Sequence, residues 1–262
     1  MEDYNSHKLR AEYLEVVYRR VTLDLNGKGL SRVPDAVTEL SEVKELRLED
    51  NNLTELPRSI NKLIRLKELY LDGNNLTELP AEIGDLKELK SLSVNNNQLV
   101  GLPTSIQKLN SLPRLLLDGN NLTELPAEIG DLKELSWLSM NNNQLVGLPT
   151  SIQKLNRLQR LLLDGNNLTE LPAEIGDLKK LWWLSVSNNQ LVGLPTSIQK
   201  LNRLQWLYLD GNNLTELPTG IGDLKELLQL RLSGNPLTVD AIKFALKLEK
   251  RGVSTGIAGE DK

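Results

Sequence analysis

From Arg20 onward the apolar positions of this chain recur every 23 residues, in units opening at 20, 43, 66, 89, 112, 135, 158, 181, 204 and 227. The unit 66–88 shows the pattern: Leu66, Leu69, Leu71, Asn74, Leu76, Leu79, Pro80, Ile83 and Leu86, or L-x-x-L-x-L-x-x-N-x-L-x-x-L-P-x-x-I-x-x-L-x-x. A fixed period of this length marks a stacked-repeat architecture. Counting positions from each opening residue, the leucines at 4 and 6 lie two apart, so they share one face of a short strand and point inward. Those at 11, 14, 18 and 21 bring the chain back across the core. No unit can bury this set alone, so the units must stack into one continuous aliphatic core. The proline at position 15 suits the start of a short helical return. An Asn at position 9 follows each strand from Asn51 to Asn235, where a buried amide can satisfy backbone groups of the turn and of the neighbouring unit. Lys28 takes that place in the first unit, which has no preceding unit to serve.

This framework resembles the leucine-rich repeat family, in its 23-residue intracellular class with the L-P-x-x-I signature, over roughly Arg20 to Leu237. The resemblance implies an α/β solenoid: a right-handed horseshoe with ten parallel strands on the concave side and short helical or 3₁₀ segments on the convex side. It also implies partner binding, without naming a partner. The ends read as caps, which solenoids need over their terminal core faces. Leu9, Tyr13, Leu14, Val16 and Val17 predict a capping helix within residues 1–19, ahead of a solenoid over 20–238. An amphipathic pattern predicts a second capping helix over 239–251, and the Gly-rich stretch 252–262 predicts a flexible tail.

A second period of 46 residues overlies the first, with Leu-Thr-Glu-Leu-Pro units alternating with Leu-Val-Gly-Leu-Pro units. Residues 89–134 and 135–180 differ at six places, and 135–180 and 181–226 at eight. Twelve of these fourteen differences fall at unit positions 1–8 or the residue just before them, where even scatter over 23 positions would put about five or six. Strand positions 3 and 5 flank the inward leucine and point away from the core. The concave surface has therefore changed while the scaffold was copied nearly verbatim, which diversification for binding explains.

The changed window holds all four tryptophans. Position 3 runs through Arg114, Trp137, Arg160, Trp183 and Trp206, and position 5 carries Leu162, Tyr208 and Arg231, with Trp182 beside them at position 2. Trp, Tyr and Arg are enriched at interface hot spots. These nine residues are the predicted partner-binding site, expected as an exposed ridge on which Arg stacks against Trp. Trp182 is expected to turn either onto the ridge or toward the strand edge.

Composition narrows the chemistry. Net charge is −4 and there is no Cys, with His7 the single His. Disulfides, thiolate metal sites and Cys or His catalytic dyads are excluded. No phosphate loop of the Gly-x-x-x-x-Gly-Lys type occurs. We expect no enzyme, no cofactor, no nucleic-acid partner and no membrane insertion, with a monomer favoured. The first residues show neither the basic start nor the apolar run of a signal peptide, which with the lack of Cys gives a cytoplasmic expectation. Asp72, Asp118, Asp164 and Asp210 recur in Asp-Gly-Asn-Asn, but in alternate units about 9.5 Å apart, too far to share one ion. They read as turn residues. Two functional readings result. The first is a module that binds a protein or peptide ligand on the concave face. The second is a consensus-like or engineered repeat scaffold without a dedicated partner, which suits the near-verbatim copies but expects changes spread over the whole surface.

Overall fold

A computed structural model describes residues 22–257, so the capping helix expected within 1–19 lies outside the described residues. Ten three-residue strands form one open parallel sheet in strict chain order. They are β1 (Thr22–Asp24), β2 (Glu45–Arg47), β3 (Glu68–Tyr70), β4 (Ser91–Ser93), β5 (Arg114–Leu116), β6 (Trp137–Ser139), β7 (Arg160–Leu162), β8 (Trp183–Ser185), β9 (Trp206–Tyr208) and β10 (Gln229–Arg231). Each pairs with the next at a shift of 23, as Leu138 with Leu161 and Leu161 with Leu184. The sequence period is thus the sheet register, and side chains at one unit position form columns across the sheet.

The return half of each coil is short because proline starts it and an aliphatic pair closes it. From the second unit to the ninth, a 3₁₀ turn of five residues follows the position-15 proline, running from Arg58–Lys62 to Thr219–Asp223. Pro80, with φ −65°, precedes Ala81–Asp85, and the Leu86 N–H then donates to the Ile83 carbonyl. The first unit forms one α-turn instead, α1 (Asp35–Thr38), after Pro34. Leucines at positions 4, 6 and 21, and isoleucines at 18, are buried throughout the regular units.

Position 14 departs from the expectation of uniform burial. Leu79, Leu125 and Leu171, which follow Glu, are buried, while Leu148 and Leu194 are only partly so. These two follow Gly147 and Gly193, but Leu102 follows Gly101 in the same setting and is buried, so the preceding glycine alone does not decide their exposure. Leu217 is also partly exposed, at the end of the array where the next unit abandons Leu-Pro.

Two amide ladders tie the coils together. In the first, Nδ2 of Asn74 donates to the carbonyls of Leu48 (2.9 Å) and Leu71 (3.0 Å), and its Oδ1 accepts from the Leu53 N–H (2.9 Å). The same bonds recur down the column to Asn235. The second ladder runs along position 7. Asp72 accepts from the Asn95 N–H (2.7 Å), Asn95 from the Asp118 N–H (2.8 Å), Asp118 from the Asn141 N–H (2.6 Å) and Asn141 from the Asp164 N–H (2.8 Å). Asp118 and Asp164 take a further bond each from Ser139 and Ser185 of the following unit. The Asp column is thus committed to turns, as its Asp-Gly sequence suggested.

Position 8 explains the 46-residue alternation. All ten residues there have positive φ, and through the ninth unit glycine alternates with Asn or Asp, as with Gly119 (66°) and Asn142 (54°), before Gly211 is followed by Gly234. A Cβ on Gly119 would lie 2.5 Å from Oδ1 of Asn96 in the preceding unit. The bulkier turn residue therefore needs glycine beside it, and the two unit types fit in alternation.

At the far end, helix α2 (Val239–Glu249) caps the core with Ala241, Ala245 and Leu248, and Thr238 Oγ1 accepts from the Ala241 N–H at its start. The chain beyond was expected to be loose from Gly252. Instead Ser254 bridges Gln229, and Val253 and Thr255 are buried, so this segment covers the open edge of β10.

Candidate functional site

The columns bring the predicted site residues onto four adjacent strands and their approach. Trp137 sits on β6, Arg160 and Leu162 on β7, Trp183 on β8, and Trp206 and Tyr208 on β9, with Trp182 immediately before β8. Their side chains interlock instead of standing as a free ridge, and each is half-buried. Trp182 meets Trp206 edge-on at 4.8 Å between ring centroids, and Trp183 packs 5.7 Å from Trp206 and 5.9 Å from Tyr208. These spacings and tilts suit the ring quadrupoles. The Arg160 guanidinium lies 4.9 Å from the Trp137 ring, 4.6 Å from Trp182 and 5.9 Å from Trp183. Trp182 thus folds onto the cluster, while its Nε1 also donates to Gln159 Oε1 at 3.3 Å toward the strand-entry rim.

The outlying members behave differently. Arg231 stacks 5.2 Å from the Tyr208 ring and pairs with Asp210 at 3.6 Å, and the Tyr208 hydroxyl donates to Gln229. Arg114 is paired with Trp137 in register but stays exposed, away from the stack. Leu162 is half-buried between the buried Ser139 and Ser185 of the flanking strands.

What the cluster lacks is acceptors. The indole N–H groups of Trp137 and Trp183 are buried without a partner. Among the described residues the Arg160 side chain forms neither a hydrogen bond nor an ion pair. Indole and guanidinium groups only donate. A buried unpaired donor costs stability.

The early strands are closed by comparison. Glu45 pairs with Arg47 at 2.6 Å and accepts from Thr22 Oγ1 at 2.8 Å. Burial opposes the Glu45 charge, yet the hydrogen bonds from Thr22 and Arg47 outweigh it and hold the carboxyl below its ordinary range. Arg47 lies 5.4 Å from the Tyr70 ring, and the Tyr70 hydroxyl donates to Glu68. Burial and that Glu68 contact push the Tyr70 hydroxyl up to about 12. In the second amide ladder, burial pushes the Asp118 and Asp164 carboxyls up, against hydrogen bonds from Ser139 and Asn141 and from Ser185 and Ser187.

Sequence reasoning missed the second ladder and the residues that flank Trp182 at the strand-entry rim. The signal was present, since Asp-Gly and Asn-Asn pairs alternate from Asp72 to Gly165, but their hydrogen-bond partners lie one coil away.

Comparisons with known proteins agree with this architecture. A leucine-rich repeat model matches residues 21–76, 64–122 and 114–168, and a leucine-rich repeat region model matches 161–250. No curated protein matches the sequence. Among solved structures, a leucine-rich repeat protein of Leptospira interrogans is 42% identical with a TM-score of 0.85, covering 89% of this chain and 59% of that one. A TDR receptor is 32% identical with a TM-score of 0.78, over 87% of this chain and 41% of that chain. A plant peptide hormone receptor in complex with RGF2 is 30% identical with a TM-score of 0.67, over 86% of this chain and 41% of the other. The chain spans only about two to three fifths of the length of these relatives.

Proposed function

Because the chain belongs to the leucine-rich repeat family, we propose that it is a binding module, not an enzyme, and holds a protein or peptide segment on its concave face over β6–β9. One observation carries this reading. The concave face concentrates stacked aromatics around a donor-only core, Arg160 with the indole N–H groups of Trp137 and Trp183, on a surface the aliphatic core does not need. Half-buried, mutually packed rings lose little freedom on binding, and their apolar faces gain by leaving water. A peptide backbone supplies carbonyl acceptors to the Arg160 guanidinium, and would reach the two buried indole N–H groups only with a shift of the rings. Peptide-receptor relatives favour the same class of ligand. The scaffold reading without a partner explains the copied convex side but not the clustering of changes on the concave face.

The repeat itself provides the test. Ser91 occupies in β4 the position that Trp183 holds in β8, so Trp183→Ser restores what an earlier copy carries in the same strand. Affinity capture from the native host, quantified by mass spectrometry, should show one or more proteins held by the parent and lost from Trp183→Ser. Identical captured sets from the two proteins would refute the site.

A further inference from the structure

Trp182 has a second role in the surface. Together with Gln159, Lys180, Arg203, Gln205 and Glu226 it lines an open pocket of about 360 Å³ at the strand-entry rim. That is near the small end of the roughly 300–1,000 Å³ typical of ligand sites. Backbone bonds fix its inner row, since the Trp182 N–H donates to the Gln159 carbonyl (3.0 Å) and the Gln205 N–H to the Trp182 carbonyl (2.9 Å). Lys180, Arg203 and Glu226 close three successive units and form the outer row.

Elsewhere on this outer row the cations are neutralised from the unit before: Arg65 pairs with Glu42, and Arg157 with Glu134. The same step from Arg203 reaches Lys180, which stands where the copy 46 residues earlier has Glu134. That one exchange removed the carboxylate facing Arg203 and put a second cation beside it. Among the described residues neither Lys180 nor Arg203 forms an ion pair. The rest of the pocket changed as well. Trp182 replaces the Ser136 of the earlier copy, Gln159 replaces Pro113, and Glu226 replaces Lys180. Four of the six lining residues are thus places where one copy departs from the one before.

Resting on the reading of the concave face as a partner site, we propose that this pocket takes a carboxylate side chain, Asp or Glu, of the segment lying on the tryptophans. The Arg203 guanidinium offers a planar fork that matches a carboxylate, and the Lys180 ammonium brackets the other side. The Gln159 and Gln205 amides add donors, and the Trp182 ring gives the side-chain stem an apolar wall. Two cations against Glu226 leave one positive charge, which suits a monoanion; a phosphate dianion would meet Glu226 uncompensated.

The test titrates ¹⁵N-labelled protein with acetyl-Leu-Glu-Leu-amide while following the Trp182 indole N–H signal. A saturable shift is expected. Acetyl-Leu-Gln-Leu-amide and inorganic phosphate should each bind at least tenfold more weakly. Lys180→Glu, which restores the earlier copy's ion pair, and Lys180→Gln/Arg203→Gln should each remove the preference for glutamate without moving the melting curve, since both cations are exposed. Equal binding of the glutamine peptide, equal binding of phosphate, or an undiminished preference in either variant overturns the assignment. Failure here is separable from failure of the partner site. Partner capture that survives Lys180→Glu but is lost in Trp206→Arg/Tyr208→Leu removes the pocket alone, whereas capture that survives the latter removes the partner site.

Discussion

The two ends of the sheet share a backbone and differ in what their side chains leave unsatisfied. On β1–β3 the strand side chains answer one another: Thr22 and Arg47 bond Glu45, and Tyr70 bonds Glu68, while just after β2 one carboxylate oxygen of Glu49 is buried without a partner. On β6–β9 the donors outnumber the acceptors, with Arg160 wedged among three indoles and two indole N–H groups unpaired. Beneath both, the Asn ladder repeats: Asn51 and Asn166 each donate to the same two carbonyl positions and accept from the N–H 21 residues back, with Asn51 accepting one more bond from the Lys28 N–H. Fold stability therefore does not call for the difference. A closed polar face suits contact with water; a donor-rich aromatic face is stable but incomplete. This contrast, more than the presence of tryptophan, is what the proposed partner site on the later strands rests on.

The largest expected effects should ignore the contrast, because the core is common to both ends. Leu46→Ala in β2 and Leu161→Ala in β7 remove fully buried side chains and should each lower the unfolding free energy by about 2–5 kcal/mol. Denaturant melts check this; a change of surface size at either site would break the claim of one uniform core. Asn166→Ala comes next. It orphans the carbonyls of Met140 and Leu163 and the N–H of Leu145, at about 1–3 kcal/mol. Asn51→Ala should cost about as much, and a large disparity would show that the ladder is not equivalent along the stack.

Smaller stability effects should expose the contrast. Trp182→Ser, Trp206→Arg and Tyr208→Leu each install the residue found 46 positions earlier. Each should change stability by no more than about 0.5–1.5 kcal/mol, the worth of an aromatic pair, while weakening partner binding at least tenfold. Glu45→Gln should leave binding unchanged. Calorimetric titration of the captured partner distinguishes the two.

The smallest expected effect is in pH dependence, and its sign reverses between regions. The Glu45 carboxyl sits below its ordinary value in the folded chain. Its contribution is complete above that ordinary value and is lost as pH falls toward the lowered one. Asp118 and Asp164 sit above theirs. Their burial penalty is full above the raised values and is relieved as pH falls toward the ordinary carboxylate range. Stability profiles of Glu45→Gln and of Asp118→Asn/Asp164→Asn, each subtracted from the parent, should therefore slope in opposite directions.

Much of this was legible in the chain. Period, strand centres and the Asn column follow from residue spacing alone, because inward leucines at positions 4 and 6 admit one register. The aromatic strands were legible as a set, since Trp137, Trp183 and Trp206 share unit position 3. Their packing was not, because side-chain rotamers decide whether neighbouring rings stand apart or interlock, and Trp182 from position 2 joined them. The second ladder and the pocket escaped for a related reason. Asp118 with Asn141, or Lys180 with Arg203, are neighbours only across coils, and hydrogen-bond direction is not written in spacing. The partial exposure of Leu148 was not legible, since Leu102 follows the same glycine and is buried.

The most direct measurement is hydrogen exchange of the backbone amides with and without the captured partner. The account predicts slowed exchange confined to the loops and strands from β6 to β9, with β1–β3 and the 3₁₀ turns unchanged. Protection centred on β1–β3, or on the turns from Arg58–Lys62 to Thr219–Asp223, would contradict it.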